Sequence, residues 1–195
     1  MRVIGITGGI GSGKSRVLSY IGERFPATIC QADKVAFELQ QPGQACYDEI
    51  VKCFGNDILE ENGTINRSKL GHIVFGNQEL LCQLNQIVHP VVKRYILNMI
   101  AEEEQKNASF FVLEAALLIE EHYEQICDEL WYIYVDEETR RKRLRESRGY
   151  SDEKIDLIIS SQLPEVSFRK QCQVVIDNSG SFQDTCKQIE KLLNQ

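Results

Sequence analysis

The chain opens on Val3-Ile4-Gly5-Ile6-Thr7, a run that is apolar at almost every position and ends in a glycine cluster. A run without polar alternation reads as a strand buried on both faces. From Lys14 to about Arg24 the pattern changes, and Val17, Leu18 and Ile21 fall on one face of a helix. Ala27 to Gln31 is a second short strand candidate, with a helix from Lys34 to Gln40 after it. The runs 110–113, 130–135 and 174–176 are rich in β-branched and aromatic residues and predict three further strands. The tail from Ser181 to Leu193 is helical by pattern, with Ser181 at the N-cap position. Between Pro42 and Lys106 there is no good strand. The amphipathic stretch from Gln78 to Gln105 contains Pro90, which predicts a helix boundary or kink near His89. Strands thus alternate with helices and are continuously apolar. The expectation is an α/β fold with a parallel sheet covered on both faces and a helical insertion beside it.

A chain of 195 residues is the size of a single domain. Its 43% apolar and 26% charged residues exclude a disordered chain. No apolar run approaches the roughly 18–20 residues of a membrane span, and Arg2 followed by a few apolar residues and then glycines does not make a secretory signal. The net charge of −7 argues against a general nucleic-acid binder. The seven cysteines (30, 46, 53, 82, 127, 172 and 186) are odd in number and form no C-x-x-C pair. They read as reduced packing thiols in a cytoplasmic protein.

Gly8-Gly9-Ile10-Gly11-Ser12-Gly13-Lys14-Ser15 fits G-x-x-x-x-G-K-[ST]. Such glycines let successive N–H groups point into one concavity, and the helix that starts near Lys14 adds its positive end. The pattern predicts a polyphosphate site. Lys14 would reach the β- and γ-phosphates, and the Ser15 hydroxyl would ligate Mg²⁺. Average residue usage produces this pattern by chance in about one percent of chains this long, and here it lies between a strand and a helix, as the motif requires. No G-x-G-x-x-G register fits, so a dinucleotide fingerprint is disfavoured. A guanine-reading N-K-x-D segment is also missing. A small-molecule kinase needs an acceptor site, an acid near it and basic residues that close over the phosphates, and the chain has candidates for all three.

Asp33 follows the second strand run directly, where the carboxyl ends of parallel strands face a ligand crevice. It is a candidate to take the proton of an acceptor hydroxyl; the alternative is a cap on the helix that follows. Glu114 and Glu120 bracket Leu117-Leu118-Ile119 and either support Mg²⁺ through water, hold a substrate or are solvated. His89-Pro90 is a substrate contact or a helix boundary. Six basic residues, Arg140, Arg141, Lys142, Arg143, Arg145 and Arg148, crowd an otherwise acidic chain. Arg141, Arg145 and Arg148 share one helical face, and Arg140 and Arg143 are i, i+3 neighbours. Gly149 breaks the pattern and a new helix starts near Ser151. A helix–break–helix with clustered arginine suits a lid over phosphates, with one or two of the arginines functional and the rest a solvated face.

With these residues in place, the chain resembles the dephospho-coenzyme A kinase family over nearly its whole length. The stretch Ile4 to Ser15 resembles the family's opening. Ala32-Asp33 matches the end of its Asp-Ala-Asp element, and Leu117-Leu118-Ile119-Glu120 its Leu-Leu-Phe-Glu. Arg67, Leu70, Val74-Phe75, His89-Pro90, Arg143-Leu144, Gln162 and Val175-Ile176-Asp177-Asn178 match further segments. The chain departs from the pattern with Gln31 for the first Asp, Ala116 for a Pro, Arg140 where Gln is common, Ile158 where Arg is common, and Cys172-Gln173 for Ala-Asp.

The resemblance implies a three-layer α/β/α P-loop core with a five-stranded parallel sheet (residues 1–40 and 107–195). It also implies a helical substrate-binding insertion (about 42–106) and a lid (about 140–160). It implies ATP-dependent phosphorylation of the ribose 3′-hydroxyl of dephospho-coenzyme A, with Asp33 as general base, Lys14 on the phosphates, and Arg140 or Arg143 as the catalytic cation of the lid. Gly11, Ser12, Gly13, Lys14, Ser15, Arg16 and Asn178 would contact ATP. Another small-molecule or nucleoside kinase on the same core is the alternative. No nucleic-acid or membrane partner is expected, and the oligomeric state stays open.

Overall fold

The computed structural model describes residues 1–194 of the protein. Five strands form: β1 (Arg2–Thr7), β2 (Ala27–Gln31), β3 (Phe110–Glu114), β4 (Glu129–Tyr134) and β5 (Val174–Asp177). Their order across the sheet is β2-β3-β1-β4-β5. β1 lies at the centre and runs parallel to β3, with Ile4 opposite Val112, and to β4, with Ile6 opposite Trp131. β4 in turn runs parallel to β5. The three central strands are the continuously apolar runs and are buried almost end to end. The two edge strands are more open. The expected five-stranded parallel sheet is therefore present.

Alternation along the strands shows why both faces need cover. Ile4, Ile6, Val112, Trp131, Ile133 and Ile176 pack on Val17, Leu18 and Ile21 of α1 (Lys14–Arg24) and on Ile189 and Leu193 of α9 (Phe182–Leu193). Tyr132 points the other way and stacks on Phe168 of α8 (Glu165–Gln171), with ring centroids 4.7 Å apart. Removing each such side chain from water is worth about 1.5–3 kcal/mol. Ser181 caps α9 as its position predicts: its hydroxyl accepts from the Asp184 N–H.

Two compact units divide the chain. One holds Met1–Cys30 and the chain from Glu103 onward, and the other is Gln31–Glu102. The second unit carries α2 (Ala32–Leu39), α3 (Tyr47–Phe54), α4 (Arg67–Val74) and most of α5 (Gln78–Gln105). Outside its helices it carries one isolated antiparallel bridge among the described residues, Leu59 with Ile65. The residues up to 40 that the sequence grouped with the core fall partly in this unit, α2 included.

Two local expectations are corrected. α5 runs unbroken through Pro90, so of the boundary or kink expected near His89 the boundary is absent. An interior proline costs about 3 kcal/mol or more, but here long helix continues on both sides and Val88, Val92 and Ile96 are buried across it. The helix after β2 begins at Ala32, not Lys34, which puts Asp33 inside its first turn rather than at the cap. The apolar residues of this helix, Ala32, Val35 and Leu39, are buried at i, i+3, i+7, so burial of this stripe sets its start. No helix among the described residues is long and apolar enough to cross a membrane.

Candidate active site

The segment from Gly8 to Ser15 leaves the carboxyl end of the central strand and enters α1. Gly13 is the N-cap of α1, with φ 86° and ψ 19°, a left-handed conformation that favours glycine. A Cβ there would run into the Asn178 side-chain amide. A Cβ on Gly9 would stand 2.5 Å from the Arg140 guanidinium. At Gly13 the positive φ and the approach of Asn178 require glycine, whereas at Gly9 a side chain would displace the Arg140 guanidinium. No acidic residue occupies the first turn of α1, so its positive end is uncompensated.

Lys14 folds back on the loop, and its Nζ donates to the Gly8 carbonyl at 2.6 Å. Ser15 is exposed on the first turn. Ser12 is 2% exposed; its carbonyl accepts from Asn178 Nδ2 at 2.7 Å. Asn178 Oδ1 accepts from Thr185 Oγ1 at 2.9 Å, so both ends of this buried amide are committed to protein groups. The Thr7 and Ser12 hydroxyls are buried without a partner, as is Nη1 of Arg143.

The segment proposed from sequence as a lid folds as helix, break, helix. α6 (Glu137–Arg148) is capped by Asp136 and ends at Gly149 (φ 61°). α7 (Asp152–Ser160) is capped by Ser151, whose hydroxyl accepts from the Lys154 N–H. The arginines of α6 divide by face. Arg143 donates to the Asn178 carbonyl at 2.7 Å, and Arg140 Nε donates to the Ile10 carbonyl at 2.7 Å. Burial pushes the Arg140 guanidinium below its ordinary pKa. On the other face Arg141 pairs with Glu137 (2.8 Å) and Asp156 (2.7 Å), and Arg145 pairs with Asp152 (2.7 Å). Arg16 lies with its guanidinium 3.8 Å from the Phe182 ring centroid.

Glu114 and Glu120 are separated. Glu114 ends β3 opposite Ile6 and is 8% exposed, whereas Glu120 lies exposed in the turn that follows. In the helical unit Asp33 is exposed on the first turn of α2. His89 lines an open groove of about 390 Å³ along α5 with Leu81, Cys82 and Asn85. The sequence reading gave no role to Thr185 or Thr7, and quoted Gln162 only as a matching segment. The partners of Gln162 are distant in sequence, Thr185 bonds Asn178 seven positions away outside any motif, and the Thr7 hydroxyl has no partner at all, so no local spacing marks them.

A glycine-rich loop between a central parallel strand and an uncapped helix, with orphaned hydroxyls along it, defines a P-loop nucleotide-binding protein of the α/β class. The family model for dephospho-CoA kinase matches residues 2–184. A dephospho-CoA kinase of Carboxydothermus hydrogenoformans is 42% identical over 193 residues, which cover 99% of this chain and 93% of that protein. The crystal structure of a Thermus thermophilus protein superposes with a TM-score of 0.83 at 27% identity, covering 99% of this chain and 96% of that one. Dephospho-CoA kinase from Campylobacter jejuni does so with a TM-score of 0.75 at 26% identity, covering 100% and 96%. The chain belongs to the dephospho-CoA kinase family.

Proposed function

We propose that this protein transfers the γ-phosphoryl group of ATP to the ribose 3′-hydroxyl of dephospho-CoA in the cytoplasm, the last step of coenzyme A synthesis. The observation that carries the reading is the Gly8–Ser15 cradle within a chain of this family. Its orphaned Thr7 and Ser12 hydroxyls, the unpartnered Arg143 Nη1 and the open helix end suit a triphosphate with its metal. Among the described residues no group of three or more His, Cys, Asp or Glu side chains could hold a metal alone. That fits Mg²⁺, which is bound through few protein groups together with substrate phosphates. Ser15 would hold it directly and Glu114 through water. When bound it would neutralise charge on the β- and γ-oxygens.

Lys14 leaves the Gly8 carbonyl and takes phosphate oxygens. The main-chain N–H groups from Gly11 to Arg16 hold the β-phosphate. Asn178 keeps the Ser12 peptide in place beneath it. Asp33 orients the acceptor hydroxyl and takes its proton, a contribution of roughly 10²–10⁴-fold for a positioned base. Arg140 and Arg143 stabilise the charge that spreads over the phosphoryl oxygens and exclude water.

A coupled ADP-release assay tests the reading. Dephospho-CoA should support turnover, with coenzyme A identified by mass. Nucleosides and a control without acceptor should not. Equal rates with a nucleoside, or without acceptor, would replace this reading by another kinase or by a bare nucleotide hydrolase.

A further inference from the structure

Gln162 stands two residues beyond α7, half-buried. Its one carboxamide oxygen accepts from two donors at once, the Ile10 N–H at 3.3 Å and a terminal guanidinium nitrogen of Arg140. Arg140 Nε closes the ring by donating to the Ile10 carbonyl. The three residues are 152, 130 and 22 positions apart in sequence. Both main-chain groups of Ile10 are thereby held by the lid, and the Arg140 guanidinium is fixed over Gly9. Both acceptors of Arg140 are neutral. Arg140 therefore makes no direct ion pair, the Glu137 carboxylate acting on it only at a distance, and a half-buried cation in that state gains from an anion in the loop.

We propose that Gln162 is a positioning residue for phosphoryl transfer: it pins the Arg140 guanidinium and the Ile10 peptide together, so that the lid cation already faces the phosphate loop before nucleotide binds. This rests on the reading of Gly8–Ser15 as a triphosphate site. The residue type follows from the task. An amide oxygen accepts two hydrogen bonds and adds no charge. Leucine has no acceptor to offer. A carboxylate keeps the hydrogen bonds, but it compensates Arg140 and repels a triphosphate.

The test is a double-mutant cycle of Q162L and R140A, with Q162E as the near-isosteric control. Steady-state kinetics with ATP and dephospho-CoA, ATP affinity by calorimetry and melting temperature are measured for each protein. Q162L should lower kcat roughly 10- to 100-fold, the scale of a small misplacement at a reacting centre, with an unchanged melting temperature. In the R140A background the same change should alter kcat by less than about twofold, because the guanidinium to be positioned is gone. Q162E should keep kcat within a few-fold and raise KM and Kd for ATP, since it retains both acceptor bonds while adding a negative charge. An equal Q162L penalty with and without Arg140 would overturn the proposal, as would a kcat for Q162E as low as that of Q162L. If the wild type turns over ATP with a different acceptor, the acceptor assignment falls, and the same cycle on that acceptor and on ATP affinity still decides the role of Gln162.

Discussion

In the sheet unit the phosphate loop is built mainly from main chain. Its glycine N-cap leads into a helix with no acid in its first turn, Asn178 holds the Ser12 carbonyl, and Arg140 of α6 grips Ile10. In the helical unit the candidate acceptor residues are side chains spread along helices, Asp33 exposed on α2 and His89 in a shallow groove on α5. The difference follows from the ligands each would recognise. A triphosphate is the same for every kinase and is met by peptide groups in one fixed geometry, which a short motif can encode. An acceptor is particular, and side chains from several turns must read it.

Asp33→Asn should separate the two regions most sharply. Turnover should fall roughly 10²–10⁴-fold, while calorimetry shows ATP binding with the wild-type Kd. A joint loss of ATP affinity would erase the division. Lys14→Ala should lower kcat roughly 10²–10³-fold, the cost of one lost contact to developing charge, and should also weaken ATP binding. Normal activity in that protein would remove the phosphate loop from the mechanism.

Within the lid, Arg143→Ala should lower kcat roughly 10- to 100-fold, as expected for losing a charge-assisted hydrogen bond. Arg141→Ala should leave kcat within about twofold, because an exposed ion pair contributes little. Equal effects on kcat would show that the two faces of α6 are not functionally distinct. The smallest effect concerns Asp136. Its carboxylate accepts from the Thr139 N–H at the start of α6, and this hydrogen bond holds its pKa below the usual carboxylate value. The stabilisation is complete above the unfolded pKa of about 3.9 and is lost as pH falls through the lower folded value. Asp136→Ala should therefore melt below wild type at neutral pH, and the two melting curves should converge in acid. A constant difference in melting temperature across that range would show that the charge is not what caps the helix.

Much of this was legible along the chain. The central strands are visible because parallel strands buried on both faces need unbroken apolar runs, as in β1 and β4. The loop is visible because its glycines are demanded by local geometry, and Ser151 and Ser181 because capping is a contact three residues long. Two helix boundaries fell elsewhere than their local signals placed them, where packing outweighed propensity. Burial of Val88, Val92 and Ile96 carries α5 through Pro90, and burial of Ala32, Val35 and Leu39 starts α2 before Asp33.

The sequence by itself determined the α/β alternation, the phosphate loop and the cluster of arginines beside a helix break. Only the tertiary structure decided which arginines turn inward, that Asn178 is consumed in supporting Ser12, and that Gln162 joins Arg140 of α6 to Ile10. The physical reason is that capping and helical periodicity act within a few residues. A buried donor, by contrast, takes whatever acceptor the packed chain brings to it, and here those acceptors come from 22 to 166 positions away.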